Sequence, residues 1–446
     1  MSSFRSLGKD IIAYGVMSGI SKSVNLVLLP VLTRQFSTSE YGIIDVISIL
    51  TSLLSLIIAL SLESAVMRFW FESKKKDELS KLISSSLIFV LGTGILIIFL
   101  IYLFSGTISV LLLDSSENWI YVFLGACSAL FMALKNIPLV ALRMQRRIIG
   151  YNSVNLIQSL LYVGLALLLI FKFQQGLISV FIALAISHAI AFIIGLLMNR
   201  RLIKAEFSLS FLKPSLKYSL PMFPAVFVTW LNQQADRFLL LLFLGLGAVG
   251  IFGASAKIVM IIALLVTIFR QAWTPLSINA LDKEETERNQ FYEKVFKLYF
   301  IGMFTIGIII VLFSRPLLDL LVPVEYHTGY VIIPWLIGAM VLHGSASITN
   351  LGTVISKKTG ANSIAAWTGA FTNICLGLLL IPKFGIAGAA IGSFIAELFF
   401  TLILWKKSIQ LTSVYFSIPT FIIVVLLYIN LSLVILYYPQ LMNIIS

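Results

Sequence analysis

Residues 217–275 read KYSLPMFPAVFVTWLNQQADRFLLLLFLGLGAVGIFGASAKIVMIIALLVTIFRQAWTP. The stretch consists of two long apolar segments separated by a glycine-rich turn, and each segment is long enough to cross a bilayer as a helix. Polar and charged residues lie inside both segments: Asn232, Gln233, Gln234, Asp236, Arg237, Lys257 and Arg270. A charge at the centre of a span costs about 2.5 to 3.5 kcal/mol unless it faces protein or water. The stretch therefore predicts two transmembrane helices that line an aqueous cavity.

The composition extends this interpretation to all 446 residues. Hydrophobic residues make up 59% of the chain and charged residues 11%, and the mean hydropathy is +1.02. These values are typical of an all-α polytopic membrane protein and exclude a soluble domain. Cys127 and Cys375 both lie inside apolar segments, so neither a disulfide framework nor a thiolate metal site is indicated.

Thirteen apolar segments with short connections follow one another along the chain. Their approximate ranges are 10–33, 42–62, 82–105, 118–142, 151–171, 177–198, 216–244, 248–274, 292–314, 329–355, 361–381, 386–405 and 415–437. We expect the first segment to be retained, because no small-residue cleavage site follows it. An odd number of spans places the C-terminus on the side opposite the N-terminus.

The loop charges give the orientation. Of the Lys and Arg residues in the connections, 23 lie on the side of the N-terminus and 4 on the other side, which predicts a multi-pass protein of the cytoplasmic membrane with a cytoplasmic N-terminus. The net charge of +13 is therefore a topology signal, and no nucleic-acid partner is expected.

The sequence also repeats itself. Gly-x-Asn-Ser begins the segments at Gly150 and Gly360, and Lys-Phe follows each segment at Lys172 and Lys383. Six spans per half give both halves the same orientation, as in a parallel repeat. We expect two six-helix lobes, 1–205 and 206–410, around a central cavity, followed by an extra helix in 411–446.

Cations outnumber anions among the ionisable residues embedded in the spans. Lys22 shares a helical face with Ser18 and Asn25, whereas Lys135 lies near the inner end of its span, a position typical of a lysine that snorkels to the interface. A cavity lined by Lys and Arg suits an anionic cargo, because charge-assisted donors replace the water that the anion loses. The predicted substrate-binding residues are Lys22, Arg34, Arg237, Lys257 and Arg270.

Three further embedded residues are candidates for ion coupling: Asp236, His188 and Glu397. His188 and Glu397 fall at near-equivalent positions of the repeat and carry groups that are able to titrate during a transport cycle. The alternative is structural: Asp236 pairs locally or with Lys257, and the other two are satisfied polar residues of the helix core.

Catalytic motifs are missing from the sequence. It contains neither a phosphate-binding G-x-x-x-x-G-K-[ST] loop nor an H-E-x-x-H metal motif, and no cofactor or metal is expected. The outer loop 315–328 is too short for the active-site domain of a lipid-linked sugar polymerase. These observations favour a transporter over an enzyme.

Four segments of the chain resemble one known family. They are LPVLTRQFSTSEYGIIDVISIL at 29–50, SLPMFPAVFVTWLNQQADRFLLLLFLGLGAVGIFGASAKI at 219–258, the span end at 272–275, and LIPKFGIAGAAIGSFIAE at 380–397. Together they look like the bacterial polysaccharide flippases of the multidrug/oligosaccharidyl-lipid/polysaccharide exporter superfamily. The resemblance covers essentially the whole chain, although thirteen spans depart from the usual twelve or fourteen of that family.

The resemblance implies two six-helix lobes around a V-shaped chamber that alternates its access. Its cargo would be an undecaprenyl-diphosphate-linked oligosaccharide, carried to the outer leaflet for O-antigen, capsule or exopolysaccharide synthesis, with membrane lipids and a polysaccharide polymerase as partners. Arg34, Arg237 and the embedded lysines would then attract the diphosphate.

Three alternatives remain open at this point. A peptidoglycan-precursor flippase would share the basic chamber. A multidrug/cation antiporter calls for embedded carboxylates where span 1 carries Lys22. A membrane-embedded glycan polymerase calls for a large outer loop.

Overall fold

The computed structural model shows a helical chain. It describes residues 19, 24, 26–73, 75–204, 206–282, 284–356, 360–412, 414 and 416–437, with the backbone alone at 282 and 361. No β-strand occurs among these residues. The all-α membrane fold expected from the sequence is therefore confirmed.

Sixteen helices of the described residues are numbered in chain order. They are α1 Leu26–Gln35, α2 Thr38–Ala59, α3 Leu62–Trp70, α4 Lys76–Leu113, α5 Trp119–Met144, α6 Ile148–Leu167, α7 Ile178–Met198, α8 Leu209–Ser219, α9 Phe223–Asn279, α10 Glu285–Leu312, α11 Ser314–Leu321, α12 Ile333–Thr349, α13 Leu351–Ile355, α14 Gly360–Phe384, α15 Ile386–Leu411 and α16 Ile418–Tyr437. A π-helical turn, Leu168–Lys172, continues α6, and a 3-10 helix, Val324–Ile332, precedes α12.

Eleven of the described helical segments are long and apolar enough to cross a membrane. One of them, Leu209–Asn279, covers the two predicted segments 216–244 and 248–274. All predicted segments from 42–62 to 415–437 thus coincide with apolar helices. Segment 10–33 lies mostly outside the described residues, which include only its positions 19, 24 and 26–33.

Gly245 separates the two membrane helices of α9. Its φ is +77° and its ψ is −174°, so the helical path stops there and resumes in the next residues. A side chain strongly disfavours this backbone region, which glycine adopts freely. The glycine-rich turn predicted from the sequence is therefore a single break in otherwise continuous helix.

The chain forms two compact units. The first comprises the described residues up to Leu32 together with Glu40–Trp230, and the second comprises Thr33–Ser39 together with the described residues from Leu231 onward. The stretch 217–275 thus begins in the first unit and continues in the second. The lobes expected at 1–205 and 206–410 stay a prediction.

In the first unit, α5 packs against α4, α6 and α7, and α8 packs against α3 and α4. The connection between α7 and α8 is held on α4 by two backbone donors: Lys204 donates to Ser84 Oγ at 3.2 Å, and Ser208 donates to Ser85 Oγ at 2.8 Å. The Lys204 ammonium donates to Asp77 at 2.8 Å, and this contact raises the pKa of Lys204. The connection is therefore fixed to the first unit.

In the second unit, α15 packs against both α12 and α14, and α10 packs against α12 and α16. Aromatic side chains join α16 to this core: the Phe421 ring lies 5.2 Å from Phe300, and the Tyr428 ring lies 4.7 Å from Phe304. Tyr428 also donates to the Pro334 carbonyl at 2.6 Å. The extra C-terminal helix is thus an integral part of the second unit.

The sequence repeat has a counterpart in the backbone. Gly176 follows α6 with φ +61°, and Gly385 follows α14 with φ +59°. In each unit the next helix, α7 or α15, packs against both the repeat helix and an earlier one, α5 or α12. The two halves therefore share a local turn and an order of packing.

Candidate functional site

A polar run, 232–237, interrupts the apolar surface of α9. Because residues four apart share a helical face, Asn232 and Asp236 lie on one face, and Gln233 and Arg237 lie on the next. Asp236 is buried, Asn232 and Arg237 are half-buried, and Gln233 is exposed. One face of the run is therefore packed against neighbouring helices, and the adjacent face is exposed.

Two contacts attach the buried face of this run to α15. The Asp236 carboxylate accepts a hydrogen bond from the Ser393 hydroxyl, and Asn232 Nδ2 donates to Glu397 Oε1 at 3.2 Å. Both pairs of partners are four residues apart, and their order is reversed along the two helices. The helices are therefore antiparallel here and are joined by two successive polar rungs.

Asn373 brings a third helix to the same place. This residue of α14 is 1% exposed, and its Nδ2 donates to the main-chain carbonyl of Asn232 at 3.4 Å. Hydrogen bonds from asparagine side chains are among the contacts that join neighbouring membrane helices.

His343 of α12 completes the cluster. Its Nδ1 lies 3.2 Å from both carboxylate oxygens of Glu397. The imidazole stacks on Phe400 with a centroid distance of 5.9 Å and an interplanar angle of 14°. The carboxylate thus faces the imidazole on one side and the Asn232 amide on the other.

The guanidinium of Arg237 lies on the adjacent face of α9. It donates to Gln234 Oε1 at 3.1 Å, and its Cζ lies 5.5 Å from the centre of the Phe252 ring. A cation above an aromatic face is stabilised by the ring quadrupole, and a planar guanidinium is suited to bidentate recognition of an anion.

These groups surround a cavity of about 380 Å³ within the second unit. Its polar lining consists of Asn232, Gln233, Gln234, Asp236, Arg237, His343, Asn373, Ser393 and Glu397. Apolar residues of α9 and α12 form the remaining walls. A largely apolar cavity with a few convergent polar groups is the usual form of a small-ligand site.

Comparison with known protein families gives a match over residues 7–281, to the family described as "Polysaccharide biosynthesis protein". The chain belongs to this family. The matched range contains Asp236 and Arg237 and ends before His343 and Glu397, so α12 and α15 complete the cavity from outside the match.

Solved structures of membrane transporters share the fold of this family member. "Lipid II flippase MurJ, inward closed conformation" has a TM-score of 0.77 at 19% identity and covers 95% of this chain and 92% of its own. An inward-facing multidrug resistance MATE family transporter of the MOP superfamily has a TM-score of 0.70 at 15% identity, covering 89% and 94%. A MOP superfamily transporter from Pyrococcus furiosus, described by a "reverse polarity of binding pocket", has a TM-score of 0.64 at 15% identity, covering 91% and 96%. No curated protein matches the chain in sequence.

The cavity unites three of the residues selected from the sequence: Asp236, Arg237 and Glu397. Lys257 is half-buried on the same helix as two cavity-lining residues, Ala256 and Met260.

The remaining candidates lie elsewhere. Arg270 is exposed further along α9 and acts electrostatically on His343. Arg34 is exposed and donates to the Leu320 carbonyl at 2.9 Å. His188 lies in the first unit, and Lys22 lies outside the described residues.

The first unit has a polar cluster of its own. Lys135 is 6% exposed and donates to Gln158 Oε1 at 3.4 Å, and its charge acts on Glu63, which accepts from Asn136 at 2.8 Å. The expectation that Lys135 snorkels to the interface is therefore wrong, because the side chain finds its partners inside the protein.

His188 is also buried in the first unit. Its Nδ1 lies 2.9 Å from the Ser128 hydroxyl, so its partner is neutral.

Sequence reasoning missed His343, Asn373, Ser393 and Glu63. One signal was present for His343, because Lys135 and His343 stand at nearly equivalent positions of the repeat, as His188 and Glu397 do. Asn373 and Ser393 are small neutral residues in apolar segments, and only the packing of α14 and α15 on α9 gives them a role.

Proposed function

We propose that this protein is an alternating-access flippase that moves an undecaprenyl-diphosphate-linked oligosaccharide across the cytoplasmic membrane for surface polysaccharide synthesis. The observation that carries the proposal is Arg237 beside amide side chains in a cavity of a protein that belongs to the polysaccharide biosynthesis family. Family membership supports a role in polysaccharide biosynthesis, and the residues of the cavity support binding of an anionic, sugar-bearing cargo.

Arg237 has the principal role in binding the diphosphate. A diphosphate enters a low-dielectric site only when charge-assisted donors replace its water, and a guanidinium offers them in a bidentate arrangement. Asn232, Gln233 and Gln234 supply amide groups of the kind that hydrogen-bond sugar hydroxyls. We expect the cavity to take the diphosphate end of the cargo, because its volume of about 380 Å³ falls within the range of small-ligand sites.

The other predicted cations extend the basic path. Arg270 and Lys257 follow Arg237 along α9, and Lys22 and Arg34 belong to the first span and its end. We propose that these four cations attract the cargo as it approaches Arg237 and again as it leaves. Asp236, Glu397 and His188 remain the candidates for coupling to an ion.

The cell-level features of the proposal rest on the loop charges of the sequence and on the resemblance to the flippase family. The N-terminus lies in the cytoplasm, the two lobes alternate around the central path, and the protein acts without a cofactor and without enzymatic activity. A polysaccharide polymerase is the expected functional partner.

Two alternatives within the fold make different predictions. MurJ is named as a lipid II flippase, and a peptidoglycan precursor is also a polyprenyl diphosphate. The MATE structures are named as multidrug resistance transporters. A cationic drug would be repelled by Arg237 and attracted by Asp236 and Glu397, whereas either lipid diphosphate would be attracted by Arg237. The guanidinium is the feature that favours a lipid-linked cargo.

The decisive experiment is a lipid extract from cells that lack this protein, combined with labelling of the outer leaflet. We expect a complete undecaprenyl-diphosphate oligosaccharide to accumulate in the cytoplasmic leaflet. Accumulation of a peptidoglycan precursor instead would show that the protein is a peptidoglycan-precursor flippase. A repeat unit that reaches the outer leaflet without being polymerised would overturn the flippase in favour of a polymerase.

A further inference from the structure

Anion binding by Arg237 does not explain why the carboxylate of Glu397 lies in the same cavity. We propose that His343 and Glu397 form a site that binds and releases one proton in each transport cycle. The cycle itself rests on the proposed function, whereas the proton site rests on the geometry of the second unit.

The geometry suits a shared proton. His343 Nδ1 lies at equal distances of 3.2 Å from the two Glu397 oxygens, so an imidazolium N–H donates to a carboxylate without further movement. The Phe400 ring holds the imidazole by stacking, and Asn232 donates to the carboxylate from the other side. Loss of the proton leaves a neutral imidazole and changes the net charge of the pair from zero to −1.

The pair has access to solvent through the cavity. The His343 side chain is 30% exposed and the Glu397 side chain 13% exposed, and both residues line the cavity. By contrast, Asp236 is buried, and its carboxylate accepts a hydrogen bond from Ser393. A proton site must exchange with water at some stage of the cycle, and the pair meets this requirement.

The charge of the pair matters because other charged and titratable groups lie near it. From α9, Arg270 acts electrostatically on His343, and Glu397 acts on Asp236. The charge of Arg270 also acts on Tyr299 of α10. Helix α14 contributes the neutral Asn373, and α13 contains no titratable residue.

Three helices meet at the pair. Asn232 belongs to α9, His343 to α12 and Glu397 to α15. A change of one charge unit therefore acts directly on the contacts among three membrane helices, which couples protonation to helix movement.

The first unit lacks the same arrangement among its described residues. At the near-equivalent positions, Lys135 bonds to the neutral Gln158 and His188 to the neutral Ser128. The imidazole and carboxylate meet in the second unit, which assigns the proton to that unit.

The first experiment measures the proton directly and needs no cargo. The protein contains three histidines, so NMR of imidazole-labelled protein in nanodiscs resolves them, and His343→Gln identifies the His343 signal. We expect Glu397→Gln to move the His343 titration midpoint by about one pH unit or more, as for a charged partner at hydrogen-bond distance.

The matched control is another histidine–carboxylate contact. His327 Nδ1 lies 3.2 Å from Asp319 in the stretch after α10, where the Asp319 side chain is 65% exposed. Asp319→Asn should leave the His343 midpoint unchanged. A His343 signal that fails to titrate, or a midpoint that Glu397→Gln leaves in place, would overturn the proposal.

The second experiment connects the proton to transport. Proteoliposomes containing a fluorescent polyprenyl-diphosphate N-acetylglucosamine report its flipping at a series of pH values. We expect the wild-type rate to follow a one-proton titration curve: a plateau on one side of the midpoint of the pair, and a slope that approaches about tenfold per pH unit well beyond the midpoint on the other side. His343→Gln and Glu397→Gln should both flatten this dependence, whereas His327→Gln should keep the wild-type profile.

The two experiments separate the two hypotheses. A pH profile that survives in both cavity variants would refute the proton site while leaving the flippase intact. A Glu397-dependent titration in a protein that moves no diphosphate probe would refute the proposed function for this cargo and support the proton site.

Discussion

Asn232 donates from Nδ2 to Glu397 Oε1 at 3.2 Å, one helical turn away from the contact between Asp236 and Ser393. The two rungs join α9 to α15 through side chains that an apolar core would not use. Each rung places a carboxylate in a region where an unpaired charge is expensive. The rungs therefore fix the helices that line the cavity, and they can be tested one at a time.

Ser393→Ala removes the hydroxyl donor to the buried carboxylate of Asp236. A buried acceptor without its partner typically costs about 1–3 kcal/mol, and more if it is charged. We expect the purified variant to unfold several degrees below the wild type in a thermal unfolding assay in detergent.

The control for this variant is Ser86→Ala. Ser86 is also buried, but its hydroxyl donates to the Leu82 carbonyl of its own helix at 2.8 Å. Its loss should change the unfolding temperature little. Equal losses in both variants would mean that the Asp236 contact contributes nothing specific.

Arg237→Ala should abolish export of the surface glycan while leaving the protein in the membrane. The variant loses the donors that replace the hydration of a diphosphate, whereas Arg237→Lys keeps the charge but not the bidentate geometry and should retain part of the activity. Surface glycan and protein abundance are measured together.

Arg315 provides the matched control, because its Cζ also lies over an aromatic ring, 4.3 Å from the centre of Tyr330, on α11 away from the cavity. Arg315→Ala should export normally. Normal export by Arg237→Ala at normal abundance would remove Arg237 from the binding site.

Glu63 and Lys135 should behave as an energetically coupled pair. Lys135→Met removes a cation that acts on the Glu63 carboxylate, which among the described residues keeps its hydrogen bond from the Asn136 amide. We expect a coupling energy between the two residues of about 0.5–3 kcal/mol. Replacement of both, Glu63→Gln with Lys135→Met, should restore most of the stability. Additive losses in a double-mutant cycle of thermal unfolding would show that the two charges do not interact.

The sequence was sufficient for the membrane fold because bilayer length and loop charge are local properties of a chain. It also identified Asp236, Arg237 and Glu397, because a charge in an apolar run stands out on its own. It could not identify Ser393 or Asn373, since a serine or asparagine in a membrane helix is common and gains a role only through packing. For Lys135 the sequence was misleading. Its position near a span end indicated snorkelling, whereas the groups that keep the side chain inside the protein belong to other helices and are brought to it by packing.

Gly245→Ala should destabilise the protein, although space is available. No atom lies within 4 Å of the position that a Cβ would occupy, so the cost comes from the backbone φ of +77°. With ψ at −174°, this backbone conformation is essentially restricted to glycine, and an L-residue pays about 1–3 kcal/mol to adopt it.

Gly302 offers the comparison, since it also has open space around it but has no positive φ and lies inside α10. Gly302→Ala should be neutral or stabilising by up to about 1 kcal/mol, because alanine favours helix. If Gly245→Ala is tolerated equally, the break in α9 does not depend on glycine. Thermal unfolding of both variants decides between these outcomes.

The side of the membrane reached by the C-terminus can be predicted from the packing of α16 on α10. Successive aromatic contacts pair Phe296 with Phe416, Phe300 with Phe421 and Phe304 with Tyr428, so residue numbers increase together along the two helices. The two helices are therefore parallel.

The basic residues before and at the start of α10 place its N-terminal end on the cytoplasmic side by the loop-charge rule. A parallel α16 then ends on the outer side. We expect an alkaline phosphatase fusion after Tyr437 to be active and a fusion after Leu411 to be inactive, with the reverse pattern for a fluorescent protein that folds only in the cytoplasm. Because α16 follows directly after α15, an inactive phosphatase at both positions would show that α16 does not cross the membrane and would return the C-terminus to the cytoplasm.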